Sequence, residues 1–205
     1  IERFVDSPQI DQIHYELGQA YELQGIADQA LNHYKAVNTR DPILSSKVKL
    51  SIAGIFAKEF DAQKALTAYQ NIADTNPEYA RDAYLKMAQL YRNAQNYEME
   101  IQTHGRALAI DQGKSLVTNA EIYFNLGDVH EVMGQMEEAI ENYLKIPAQC
   151  ADQTAWVVKA YLRVAKIFED RKDLEGARVT YQKIIQLNTD ESKYAQERLD
   201  ALKKK

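Results

Sequence analysis

Leu17-Gly18-Gln19-Ala20-Tyr21, with Ala30 and Tyr34 behind it, sets the frame in which the rest of the chain is read. Its key pair is a small residue followed three positions later by a large ring. The pair recurs as Ala53 with Phe56, Ala88 with Tyr91, Gly127 with His130 and Ala165 with Phe168. At an offset of 12 from each small residue stand Ala30, Ala65, Glu100, Ala139 and Ala177, and at an offset of 16 stand Tyr34, Tyr69, His104, Tyr143 and Tyr181. Successive units start 35, 35, 39 and 38 residues apart, yet the two inner offsets hold. Insertions fall between units and not within them. That behaviour belongs to a rigid two-helix block stacked as an array.

Bulk composition agrees. Hydrophobic residues make up 45% of the 205 and charged residues 27%, which is the balance of a folded chain and not of a disordered one. The net charge of −5 and the lack of a basic stripe argue against nucleic acid, since the terminal Lys203, Lys204 and Lys205 read as a solubilising tail. One cysteine excludes an internal disulfide, and no apolar run is long enough to span a bilayer. Ile1-Glu2-Arg3-Phe4 aligns with Ile140-Glu141-Asn142-Tyr143, which lies inside a second helix. The chain is therefore expected to begin partway through a repeat, as a piece of a longer protein.

Within each unit the apolar spacing is helical. Ile13, Leu17, Ala20 and Tyr21 share one helical face, Gln24-Gly25 breaks it, and Ala27, Ala30, Leu31, Tyr34 and Val37 mark a second helix. Asp41-Pro42 and Asn76-Pro77 close the first two units, because the residue before proline disfavours the helical region. The constant small residues mark close helix crossings and the tyrosines fill the wedge toward the next unit. Asp111-Gln112-Gly113 reads as a turn, with Ser115 as a helix cap; Pro147 is expected to end a helix and Asp152 to cap the next. Asp190 to Leu202 reads as a solitary amphipathic helix, with Tyr194, Ala195, Leu199 and Leu202 apolar, covering the face of the last unit.

Leu17-Gly18-Gln19-Ala20-Tyr21, Ala30, Tyr34 and Pro42, and again Leu126-Gly127-Asp128, Ala139 and Tyr143, resemble the tetratricopeptide repeat. The resemblance implies an all-α, right-handed superhelical solenoid of antiparallel helix pairs, about five repeats plus a C-terminal capping helix. Its divisions are residues 1–10, the tail of a truncated preceding repeat; 11–44, 45–79, 80–113, 114–151 and 152–188, the five repeats; and 189–205, the capping helix and tail. The third unit departs from the pattern at Glu100 and His104, so its second helix is expected to pack loosely, and Lys49 breaks the first-helix ring that is Tyr84, Tyr123 and Tyr161 in later units. Asp6-Ser7-Pro8 and the stretch from Ser192 to Leu199 resemble tetratricopeptide proteins of the Gram-negative envelope, which favours the bacterial periplasm or envelope over the cytoplasm.

The same resemblance implies a concave groove lined by first helices. Register places Tyr15, Gln19, Leu50, Leu85, Gln89, Phe124, Asn125, Asp128, Lys159, Leu162, Arg163 and Lys166 in it. Leu50, Leu85, Phe124 and Leu162 share one position and give a polar lining an apolar stripe, which suits an extended or helical peptide. Asn125, Lys159 and Arg163 match the family's carboxylate clamp in type and register, whereas Leu85 and Gln89 stand where it wants Lys and Asn. The plainer reading of the cationic stripe is a solvated face in which Arg163 pairs with Glu169.

Nothing in the sequence points to chemistry. His14, His33, His104 and His130 form no metal-ligating spacing, and the last two occupy ring positions of the repeat. Cys150 reads as a free loop thiol, Glu137-Glu138 as acids at a positive helix end, and no phosphate-cradling loop appears. The expected role is a non-catalytic scaffold that binds a protein or peptide segment, with no cofactor, metal, nucleic acid or membrane insertion, as a monomer or weak homo-oligomer. The alternatives are a self-associating structural array, driven by Ile1, Phe4 and Val5, or the regulatory region of an enzyme whose catalytic domain lies elsewhere.

Overall fold

The computed structural model describes residues 8–59, 61–110 and 118–202. The described residues form eleven helices and no strand. Ile1, Phe4, Val5, residues 111–113, Ser115 and Lys203 to Lys205 lie outside them, and with them the expectations placed there.

Two units follow one another, Ile1–Ser115 and Leu116–Lys205. The first holds α1 (Pro8–Leu23), α2 (Ala27–Ala36), α3 (Pro42–Lys58), α4 (Ala62–Thr75), α5 (Pro77–Asn93) and α6 (Tyr97–Ala109). The second holds α7 (Asn119–Val132), α8 (Met136–Gln149), α9 (Thr154–Asp170), α10 (Leu174–Gln186) and α11 (Glu191–Leu202).

Four hairpins are closed by the same turn. Its middle residue is left-handed: Gly25 at φ 74°, Gln95 at 56°, Gly134 at 75° and Lys172 at 62°. The next amide returns to a carbonyl five residues back, as from Ile26 to Tyr21, Asn96 to Tyr91, Gln135 to His130 and Asp173 to Phe168. Glycine enters this conformation freely, while Gln95 and Lys172 carry a steric cost. Short polar side chains start the following helices. Asp61, Asn96 and Asp173 each accept from an amide three residues on, and Asp41 caps α3 with Pro42 in its first turn.

The packing positions read from sequence hold. Ala30, Ala53, Ala65, Ala88, Ala139, Ala165 and Ala177 are fully buried, as are Tyr34 and Tyr143, and Tyr69 and Tyr181 almost so. A Cβ on Gly18 would lie 2.5 Å from the Tyr34 ring, and one on Gly127 2.4 Å from the Tyr143 ring. Those two glycines exist to let a tyrosine lie flat against helix backbone. In the second unit Ala139, Tyr143, Ile146, Val157, Ala160 and Val164 form one core and Val158, Ala165, Ala177, Tyr181, Ala195 and Leu199 another. In the first unit Ala30, Tyr34, Val48 and Ile55 pack together, and so do Ala53, Ala65, Tyr69, Ala83 and Met87.

Three expectations need correction, and that for Cys150 gains a detail. Pro147 does not end its helix: α8 continues to Gln149, and Cys150 donates its amide to the Ile146 carbonyl at 2.8 Å. Proline removes one amide donor near a helix end, where the following turn still closes. Asp152 caps nothing, since α9 starts after Gln153 without a side-chain cap. Cys150 is a free thiol in the joint between α8 and α9, as expected, and it is buried against the core, its pKa raised by desolvation and then by Asp152. The helix carrying Glu100 and His104 is not loose: both side chains are buried, and Arg81, itself buried, donates to the carbonyls of Ala107 and Ile110 at its C-terminal end.

The face predicted for the first helix is less buried than its pattern suggests. Ile13 is 53% exposed and Leu17 40%. At the other end α11 begins at Glu191, one residue after the expected start, and buries Ala195, Leu199 and Leu202, while Tyr194 stays half exposed, edge-on to Tyr181 with ring centroids 6.5 Å apart.

Candidate functional site

The expected site residues lie on the first helices α1, α3 and α5 of the first unit and α7 and α9 of the second. In the first unit Gln19 Nε2 donates to the Tyr15 hydroxyl at 3.2 Å, and Tyr15 tilts against Tyr34 with centroids 5.9 Å apart. Leu50 is half-buried against the core around Ala53 and Tyr69, and Leu85 is half-buried on α5. Gln89 is exposed and donates to Asn93 along its own helix at 3.0 Å.

In the second unit the positions converge. Phe124 is wedged between Tyr143 and Trp156, at 5.2 and 5.4 Å between centroids, so much of its ring is spent on packing. Lys159 is exposed, with its ammonium 4.4 Å from the centre of the Trp156 ring. Asp128 accepts from the Tyr143 hydroxyl at 2.6 Å and from Arg163 Nη2 at 3.1 Å. The same Nη2 reaches Glu131 at 2.9 Å, and Arg163 Nε donates to the Tyr143 hydroxyl at 3.3 Å. Asn125 lies half-buried one turn before Asp128. Leu162, Arg163 and Lys166 open onto a cleft of about 540 Å³, whose other walls include Glu169, Tyr181, Tyr194 and Arg198.

The arginine predicted to grip a ligand carboxylate thus already grips two of the chain's own. It does not pair with Glu169 either. Glu169 accepts from the Tyr181 hydroxyl at 2.6 Å and is held by both Arg198 Nε and Nη2. Burial works against the Arg163 charge, but the Tyr143 hydroxyl and the carboxylates of Glu131 and Asp128 outweigh it and raise its pKa. Arg198 is raised chiefly by Glu169. Desolvation raises the Tyr143 and Tyr181 phenols, and the neighbouring carboxylates raise them further.

These contacts form a device that the sequence reading passed over. Four residues after the small residue stands an acid: Glu22, Glu131 and Glu169. Each accepts the hydroxyl of the tyrosine sixteen residues after that small residue, Tyr34 donating to Glu22 at 2.8 Å. A cation from the helix that follows the hairpin then closes the group: Lys58 on Glu22 at 2.7 Å, Arg163 on Glu131, Arg198 of α11 on Glu169. The signal was the acid at constant offset, and Arg198 standing 35 residues after Arg163.

The third hairpin exchanges the parts. Arg92 stands where the first, fourth and fifth hairpins have glutamate, Glu100 where all the others have alanine and His104 where they have tyrosine. Arg92 Nη2 lies 2.6 Å from Glu100 Oε1, and His104 Nε2 lies 3.6 Å from the same oxygen. Arginine below and carboxylate above invert the arrangement of the first, fourth and fifth hairpins.

Of the remaining histidines, His14 and His33 meet at 3.0 Å between Nδ1 atoms, and His130 bonds Gln135 at 2.7 Å. No cluster of three or more His, Cys, Asp or Glu suited to a metal occurs among the described residues, and among them no helix is long and apolar enough to cross a membrane.

Comparison with known proteins points the same way as the fold. Residues 120–146 and 159–190 each match a family model described as tetratricopeptide repeat. A 91-residue stretch is 36% identical to DnaJ homolog subfamily C member 7 of Mus musculus, and 34% identical to the Homo sapiens protein of that name. That stretch is 44% of this chain and only 17% of either relative. Among solved structures, MamA superposes at a TM-score of 0.64 with 20% identity, over 92% of this chain and 97% of its own. Pseudomonas aeruginosa pilF superposes at 0.59 with 18% identity, over 87% of this chain and 76% of its own. Repeats of this kind are protein-interaction modules in general, and residues 120–146 and 159–190 of this chain match the tetratricopeptide repeat.

Proposed function

We propose that the chain is a non-catalytic scaffold that holds a protein or peptide segment against its first helices. The observation that carries this reading is the cleft beside α9. Its lining mixes an apolar floor at Leu162 with two rings, Tyr181 and Tyr194, and with the exposed ammonium of Lys166. Such a lining takes an extended segment through side-chain pockets and a few charges. In the first unit Leu50 and Leu85 repeat the apolar position, with the amide side chains of Gln19 and Gln89 exposed on neighbouring first helices.

The partner's charge is read from what remains available. The Arg163 fork is occupied by Asp128 and Glu131, so a clamp centred on it is not the reading we favour. Lys159 and Lys166 are the exposed cations of α9, and they favour a segment with acidic side chains. Arg163 then acts as a positioning residue that fixes the wall.

A photo-crosslinking residue at Lys166 tests this. It should capture a defined polypeptide, and Leu162→Ala with Lys159→Glu should abolish the capture. A crosslinker at Glu141, exposed on α8, should capture nothing. Equal capture at both positions would place recognition elsewhere. Peptides with free and amidated carboxyl ends should bind alike, because both arginines of the cleft, Arg163 and Arg198, are already paired with carboxylates of the chain.

A further inference from the structure

Away from that wall, three hairpins share a second device. A tyrosine four residues before the small residue is covered by a cation from the second helix. Arg106 lies 5.9 Å from the centre of the Tyr84 ring, Lys145 6.0 Å from Tyr123 and Lys183 5.5 Å from Tyr161. The cation always stands 22 residues after the ring. The second hairpin has lost both partners together: Lys49 stands in the ring position and Asn71 in that of the cation.

A cleft of about 470 Å³ lies at that spot, between α3 and α4. Its floor is apolar, made by Ile52, Phe56 and Ala68. Ala68 matches Thr103, Asn142 and Thr180, which are buried in their hairpins, whereas Ala68 is only partly covered. By helical register the cleft lies on the side of α3 opposite Leu50 and Gly54, so it is separate from the first-helix wall.

The rim has changed sign as well. At an offset of ten from the small residue the other hairpins carry Asp28, Glu98, Glu137 and Glu175, and the second carries Gln63. Lys49 and Lys64 both line the cleft, and no carboxylate does. The Lys64 ammonium pairs with Asp61 at 2.6 Å and also stands 5.8 Å from the centre of the Phe56 ring. In a chain of net charge −5, this is a small apolar recess with a cationic edge.

We propose that this cleft is a docking socket for an aromatic side chain carried on an acidic segment of a partner protein. The partner's ring takes the place that Tyr84, Tyr123 and Tyr161 fill within their own hairpins. Acids flanking it face Lys49 and Lys64. Ring geometry and charge complementarity both come from the molecule itself: three filled copies of the position show what fits there, and the reversed rim shows what charge is drawn to it.

The test is an NMR titration that follows the Thr67 and Ala68 methyl groups. The probe is a terminally blocked peptide, Glu-Glu-Tyr-Glu-Glu. It should give saturable shifts at both methyls, and replacing its Tyr by Ala, or its four Glu by Lys, should weaken it by about ten-fold each. The double substitution Lys49→Tyr with Asn71→Lys builds the ring-and-cation pair inside the hairpin. It should abolish the shifts while leaving the melting temperature at or above the wild-type value. Should that variant not fold, Ala68→Met, which fills the floor, should have the same effect on binding. No saturable shift with the wild-type protein, equal binding of the three peptides, or undiminished binding to the filled variant would each overturn the proposal.

Discussion

The third and fourth hairpins solve one problem with opposite parts. In the fourth, a carboxylate on the first helix, Glu131, accepts from a ring hydroxyl on the second, Tyr143, over a minimal contact at Ala139. In the third, an arginine on the first helix, Arg92, meets a fully buried carboxylate, Glu100, with His104 beside it. What persists is a polar link across the helix pair; the residues that make it do not. A buried carboxylate costs several kcal/mol unless paired, so the exchange works only if the positions change together. Glu100 alone looks like a fault in the repeat, and Glu100 with Arg92 is a substitution of one link for another.

The largest expected effect follows from undoing half of that exchange. Glu100→Ala restores the family's usual residue but strands Arg92, which is about one-third exposed and so partly solvated. Breaking a buried pair typically costs about 3–5 kcal/mol, and solvation of Arg92 puts this case at the lower end. Chemical denaturation measures it, and a stabilised variant would mean that the repeat pattern outranks the local pair.

The fourth hairpin should be sensitive at Gly127 instead. Its tyrosine ring cannot step aside, because Asp128, Glu131 and Arg163 all hold its hydroxyl. Gly127→Ala should therefore cost about 1–3 kcal/mol by overpacking. Gly54→Ala should be neutral or gain up to about 1 kcal/mol, since its added Cβ meets only the Tyr69 hydroxyl at 3.8 Å.

The two hairpins also part company in alkali. Burial and nearby carboxylates raise the phenols of Tyr34, Tyr143 and Tyr181, and burial first and then Glu22 push Tyr69 up to about 12. The native state holds these protons longer than the unfolded chain does. Their stabilisation is whole below the ordinary phenol value of about 10 and is lost as pH rises through the raised values. Stability measured from pH 8 to 11 should fall, and Tyr143→Phe should flatten the fall. His104→Phe, in the hairpin without a phenol at that position, should leave it unchanged. The smallest effect expected is at a turn: Lys172→Gly relieves a left-handed residue and should gain up to about 1 kcal/mol.

Much of the fold was legible because its code is steric and local. Small residues, rings and their spacing report helix crossings directly, and Gly18 and Gly127 proved to be places where a Cβ does not fit. The helix end at Pro147 was misread because proline near a C-terminus removes an amide without stopping the last turn. The site was less legible. Register puts Arg163 on the face expected to bind but says nothing of Asp128 and Glu131, which come from the preceding first helix and pair with it. Phe124 was read as available, though Tyr143 and Trp156 enclose it. Polar links depend on pairs of positions, and each half reads alone as a deviation.

The exchange of parts is tested most directly by moving it back as a whole. Arg92→Glu, Glu100→Ala and His104→Tyr together give the third hairpin the link of the fourth. A thermodynamic cycle over the single and triple variants should show strong coupling, with the triple variant within about 1 kcal/mol of wild type although the single changes sum to several. A triple variant as unstable as that sum would contradict the account.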